Sequence, residues 1–275
     1  MVDPIHALDA LDGVEAKLLD LLPTLSAADW DEPTIVAGWR VRHVTAHLLD
    51  TALRKLSIVR DGYVVDGPAS GSAEDVRTFV DRINAHGVSL YGRLSPAVLI
   101  SLMRTASRDL CALHRGLDPF APATFAVSWA GEAQSLNWFD AARELTERWH
   151  HQQQIRLAVG RPGIMTRELY HPVLDCFMRV LPYRYRNVAA PVGTHVEVRV
   201  SGESGDVWHL RRDDERWLLQ RGVAGPPSAR VTIPEDIAWR VFTKGIRRDE
   251  AEMQVAIEGN RALAAHVLGA VAIVG

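Results

Sequence analysis

The sequence predicts an α+β protein in which a helical bundle precedes a small α/β module, and three observations predict it. Apolar residues recur at helical spacing over the first part of the chain, from Thr194 the apolar period changes to two, and 275 residues exceed the usual length of one domain. The stop Gly160-Arg161-Pro162-Gly163 places the expected boundary, with a bundle over residues 1–165 and a linking helix plus the α/β module over 166–275.

Residues 5–28 read as a first amphipathic helix, because Leu8, Leu11, Val14, Leu18, Leu21 and Leu22 share a face. Asp31 to Gly38 reads as a turn broken at Pro33. The helix that follows carries Trp39 and runs to about Asp61, with Val44, His47, Leu48 and Thr51 as its inward stripe. Gly62 to Ser72 has loop composition, and a long helical stretch from Ala73 to Gly116 is expected to break near Pro96. After an irregular connection, Asp118 to Gln134, another helix spans Leu136 to Gly160. A linking helix over Glu168 to Tyr185 contains Pro172 and Pro182, which make its ends irregular.

Strands are expected at His195 to Val200, Val207 to Leu210, Arg216 to Leu219 and Ala229 to Ile233, with helices from Pro234 through Phe242 and from Asn260 to Leu268. The segment Ser201 to Asp206, with two glycines between strands and Glu203 and Asp206 alongside, reads as a hairpin turn and not as a phosphate cradle. No dinucleotide fingerprint, P-loop, repeat or low-complexity tract is apparent.

A net charge of -3 argues against nucleic acid or an anionic membrane as partner. Arg211, Arg212, Arg247 and Arg248 alternate with acids in the manner of a solvated face. No apolar run has the length of a membrane span and the first residues lack a signal core, so the expected location is cytoplasmic. Cys111 and Cys176, in separate apolar stretches, read as reduced buried thiols.

Chemistry concentrates in three residues. Glu147 and His151 lie four apart on an expected helix and so share a face, and His47 sits among core residues on another; together they read as a two-histidine, one-carboxylate site for a divalent metal. Each alone has an ordinary reading, as a surface pair or a core histidine. His43, four residues before His47, competes as an alternative ligand or as a group that orients one. His150 points about 100° away around the helix, toward the surface or an orienting role. Trp39, Trp138 and Trp149 read as core or pocket wall.

The runs Trp30-Asp31-Glu32-Pro33-Thr34, Gly38-Trp39-Arg40-Val41, Ala46-His47-Leu48 and Glu147-Arg148-Trp149-His150-His151-Gln152-Gln153 resemble the mycothiol-dependent maleylpyruvate isomerase family. So do Gly193-Thr194, Gly205-Asp206-Val207-Trp208, Asp236-Ile237-Ala238-Trp239-Arg240 and Gly259-Asn260 in the second half. The resemblance implies a DinB-like four-helix bundle followed by a sterol-carrier-like α/β domain, with zinc, or else nickel or iron, held by His47, Glu147 and His151. It further implies a low-molecular-weight thiol, mycothiol, as cosubstrate, used in isomerisation or S-transfer on a small electrophile. Trp39, Trp149, His43 and Gln154 are the associated pocket or orienting candidates. The chain departs from the family pattern at Gln154, where an acid is expected. The arginine that would hold a substrate carboxylate could be Arg240, Arg247 or Arg261. A metal-dependent hydrolase with His43 as base, and a non-catalytic binding protein with a structural metal, are the competing readings.

Overall fold

The computed structural model describes residues 3–273. Helix α1 (Leu8–Leu21) buries Leu11, Val14 and Leu18. It ends earlier than its periodicity suggests, because Pro23 enters a tight 3-10 turn over Leu22–Thr24 and cannot donate a backbone bond to a longer helix. A second correction concerns Trp39, which precedes its helix. Thr34 N–H donates to the Trp39 carbonyl at 2.9 Å, Pro33 bridges Arg40, and Gly38 takes φ +79°, so the chain makes a closed turn before α2 (Val41–Lys55) starts.

Helix α2 runs on into a wider π-helical turn, Leu56–Arg60. Helices α3 (Ala73–Tyr91) and α4 (Pro96–Gly116) are separate, as Pro96 implies, and the Ser72 and Ser95 hydroxyls accept from the N–H groups of Asp75 and Val98 to cap them. Gly87 lets α3 approach α2, since a Cβ there would collide with the Asp50 carboxylate. Helix α5 (Asn137–Ala158) completes the bundle and ends where Gly160 adopts φ +63°. The linking segment is two helices, α6 (Arg167–Met178) and α7 (Val180–Tyr185).

A five-stranded sheet follows: β1 (His195–Ser201), β2 (Val207–Arg212), β3 (Trp217–Gln220), β4 (Ala229–Pro234) and β5 (Ala256–Gly259). Its order is β3-β2-β1-β4-β5, with β1 parallel to β4 and the other pairs antiparallel. The two central strands turn Val196, Val198, Val200, Ala229, Val231 and Ile233 to a common buried face. Helices α8 (Glu235–Phe242), α9 (Arg248–Glu252) and α10 (Arg261–Ala265) connect and cover it.

Two apolar clusters meet along α5. One fills the bundle around Leu18, Trp30, Val44, Leu48, Met103 and Ile155; the other runs from Leu11 and Val14 through Leu145, Trp149, Tyr170 and Phe177 to Val198 and Trp239. Helix α5 is therefore buried nearly all round, and its polar residues must find partners inside the protein.

Candidate metal centre

Those partners form the site. His47, in the second turn of α2, is 4% exposed, and its Nε2 lies 3.0 Å from Glu147 Oε1. His151 Nε2, one turn beyond Glu147 on α5, lies 3.2 Å from the same oxygen. The two imidazoles are edge to face with centroids 4.6 Å apart. Three donor atoms thus converge, all within 4.8 Å of one another, and theirs is the one such group among the described residues.

The geometry suits an ion. Metal–ligand bonds of about 2.0–2.1 Å in a tetrahedron set donor separations near 3.3 Å, so both short distances need little adjustment. Gln154 supplies the complementary condition. Its Oε1 is 2.8 Å from His151 Nδ1, so Nδ1–H donates to the amide and the ring is held with Nε2 turned toward Glu147. The amide does by neutral hydrogen bonding what an acid would do at that position.

Protonation points the same way. Burial, helped by His151 nearby, pushes the His47 imidazolium below its ordinary pKa and outweighs Glu147. Burial alone would raise the Glu147 carboxyl, yet His151 and His47 overcome it and hold the group well below the usual range. Neutral imidazole and ionised carboxylate are the forms that coordinate a cation. The Glu147 side chain keeps 24% of its surface exposed, so the cluster is open on that side.

Other candidates fall into distinct places. Trp39 walls the opening, with its ring 5.2 Å from His47 and 6.4 Å from His151. His43 Nδ1 accepts from the Arg40 N–H at 3.1 Å and so caps the start of α2, outside the convergent group. His150 is buried, contrary to a surface position: its Nδ1–H donates to the Thr146 carbonyl at 2.7 Å and its ring lies 3.9 Å from that of His151. Trp149 is fully buried, donates to the Ile164 carbonyl, stacks on Tyr170 at 4.2 Å and meets Trp239 edge-on, which joins α5 to α8.

Arg240, at the far end of α8, differs from the two other arginines considered with it. Its guanidinium lies over Trp239, its Nε is buried without a hydrogen-bond partner among the described residues, and its backbone packs at Gly245 beside Ile35, on the turn that carries Trp39. Arg247 pairs with Asp249 and Glu250 in solvent, and Arg261 is exposed.

Sequence reasoning missed the clamp behind the site. Arg148 is fully buried; it donates to both Glu15 oxygens at 2.5 and 2.9 Å and to the Leu48 carbonyl at 2.5 Å. Arg148 adjoins Glu147 and Leu48 adjoins His47, so one guanidinium ties together the two helices that carry the convergent residues. The only local hint is an acid, Glu15, on the apolar side of α1.

A family model, the mycothiol maleylpyruvate isomerase N-terminal domain, matches residues 11–156, a span that holds all three convergent residues. The chain belongs to this family. Over 211 residues it is 29% identical to an uncharacterized protein of Mycobacterium tuberculosis, found in two strains, covering 76% of this chain and 77% of that protein. Two solved structures share the isomerase fold at 12% identity. The crystal structure of a histidine-to-alanine mutant of the mycothiol-dependent maleylpyruvate isomerase aligns with TM-score 0.56 over 94% of this chain and 96% of that one. The structure of the isomerase without that substitution aligns with TM-score 0.54 over 87% and 91%. As expected for this α+β family, a helical first half leads into a sheet-containing second half.

Proposed function

We propose that this family member is a divalent-metal-dependent enzyme that uses mycothiol, or a similar low-molecular-weight thiol, on a small electrophile, by isomerisation or S-transfer. The observation that carries the reading is the convergence of His47 Nε2, Glu147 Oε1 and His151 Nε2 beside an exposed edge, with Gln154 fixing the histidine tautomer. Zinc suits two imidazoles and a carboxylate, and nickel or iron accepts the same donors. Such an ion, when bound with a coordination position open, favours thiolate over thiol at neutral pH.

The chain's own groups do the rest. His47 and His151 direct Nε2 at the shared position, Glu147 would neutralise part of a bound cation's charge, and Trp39 shields one side of the opening from water. Arg240 lies next to the same turn and is placed to hold an anionic substrate group. Thiolate sulfur forms a bond to an electrophilic carbon; in transfer a leaving group departs with the electron pair, and in isomerisation the C=C π pair moves onto the conjugated carbonyl as an enolate, the resulting single bond rotates, and the pair returns to re-form C=C and expel the thiolate. Residues 1–165 would supply the metal and 166–275 the substrate contact, in an enzyme working in the cytoplasm.

The test is turnover of maleylpyruvate, and loss of free thiol with a panel of electrophiles, by metal-loaded protein with and without mycothiol. Activity that needs both metal and thiol and disappears in His151→Ala supports the reading. Metal-dependent turnover without any thiol refutes it.

A further inference from the structure

At the end of the bundle remote from Trp39, residues Pro4 to Asp9, the end of α4 and the start of α5 enclose a cavity of about 350 Å³. That volume lies within the range of small-molecule sites. Ile5, Leu8, Leu117, Phe120 and Trp138 give it apolar walls. Two polar residues of the lining are already committed: Arg115 to Asp9 and Asp12, and the Asn137 amide to the Asp118 carbonyl at 2.8 Å.

His114 is different. It lines the cavity, is 3% exposed, and neither ring nitrogen has a hydrogen-bond partner among the described residues. A buried imidazole in that condition has given up its bonds to water without replacement, so a ligand that supplies one is favoured beyond its apolar contact. The charged groups facing it are Lys55 from α2 and Asp140, Arg143 and Glu144 from α5. They pair with one another, Lys55 with Asp140 at 2.7 Å and Glu144 at 3.2 Å, and Arg143 with Asp140 at 2.7 Å. Two cations and two carboxylates leave no net charge to draw an ion. Burial, with Lys55 close by, pushes the imidazolium down to about 4, so the ring is neutral at pH 7 and offers one donor and one acceptor.

We propose that this cavity binds a small uncharged aromatic alcohol of the phenol class, with its ring among Phe120, Trp138 and Leu117 and its hydroxyl on His114. The contact requires the imidazole to rotate toward the cavity it already lines. The site is distinct from the metal centre: Ala141 in its lining and Glu147 are separated by six residues of α5, about 9 Å of helix rise. Its occupancy does not depend on a metal.

Calorimetric titration of the full chain with phenol and with toluene tests the proposal, because the two probes differ by the hydroxyl alone. Saturable phenol binding, about fivefold or more tighter than toluene, is expected. Phe120→Ala, at a side chain 64% exposed and therefore tolerable to the fold, weakens both probes, and His114→Phe removes the preference for phenol. If His114→Phe does not fold, the wild-type ratio and the Phe120 variant still decide. Equal affinities for the two probes, phenol binding untouched by Phe120→Ala, or no saturable binding at millimolar phenol overturns the proposal.

Discussion

Two buried polar clusters adjoin along α5, and they are built on opposite plans. In the inner one every carboxylate meets a fixed cation of the chain: Asp140 and Glu144 share Lys55, Asp140 also takes Arg143, and Glu15 takes Arg148. In the outer one, among the described residues, the Glu147 carboxylate ion-pairs with His47 and His151 and with no Lys or Arg. The first has its charges balanced within the chain, although Glu144 Oε1 and the neighbouring His114 nitrogens lack hydrogen-bond partners among the described residues, and its worth is structural, since breaking a buried pair leaves an uncompensated charge. The second has donors aimed at one point and lacks a permanent positive charge, the condition in which an external cation adds most.

The largest effect should come from the inner cluster. Arg148→Met strands Glu15 in the core and should cost about 3–5 kcal/mol of unfolding free energy by denaturant titration, with the metal centre lost along with the register of α2 and α5. A variant as stable as the wild type would show that the clamp is dispensable.

Acid should strike the same region. His114 has an ordinary value of 6.5 and a folded value of about 4. Between these the unfolded chain takes up a proton that the folded chain refuses, so its contribution to stability is complete above pH 6.5 and is lost as pH falls toward 4. The loss approaches about 3 kcal/mol at the lower end. His114→Phe should flatten that part of the stability profile, and an unchanged slope would remove His114 as its cause.

The outer cluster should respond to metal. After chelation, zinc at about a hundred times its dissociation constant should raise unfolding free energy by about 2.7 kcal/mol in the wild type and by nothing in Glu147→Ala. Gln154→Leu, which removes the acceptor for His151 Nδ1, should weaken metal binding by about 10–100-fold in a chelator competition while leaving the helical circular dichroism signal in place. Equal affinity in the two proteins would mean that the tautomer is set by something else.

The contrast also explains what was legible in the sequence. Glu147 and His151 are a local pattern on one helix, and helical period puts them on one face without knowledge of the fold. Their meeting with His47 came from the family resemblance, because no local rule pairs two distant helices. The Arg148–Glu15 clamp has only a faint local signature, an acid on the apolar side of α1: the partners are 133 residues apart and Arg148 looks like a surface charge. Most bundle helices and four strands follow their apolar periods. Strand β5 does not, since Ala256 to Gly259 is a short edge strand with mostly exposed side chains and gains its identity only by pairing with β4. Apolar spacing places Trp39 on a helix, whereas its turn is closed by Thr34 bonding to the Trp39 carbonyl while Gly38 takes a positive φ.

Metal content bears most directly on the claim that the outer cluster is completed by a cation. Measured by inductively coupled plasma mass spectrometry on untagged protein beside His47→Ala and His151→Ala, it should be near one divalent ion per chain in the wild type and close to none in either folded variant. A wild type that carries no ion after loading, or variants that retain it in full, would contradict the account.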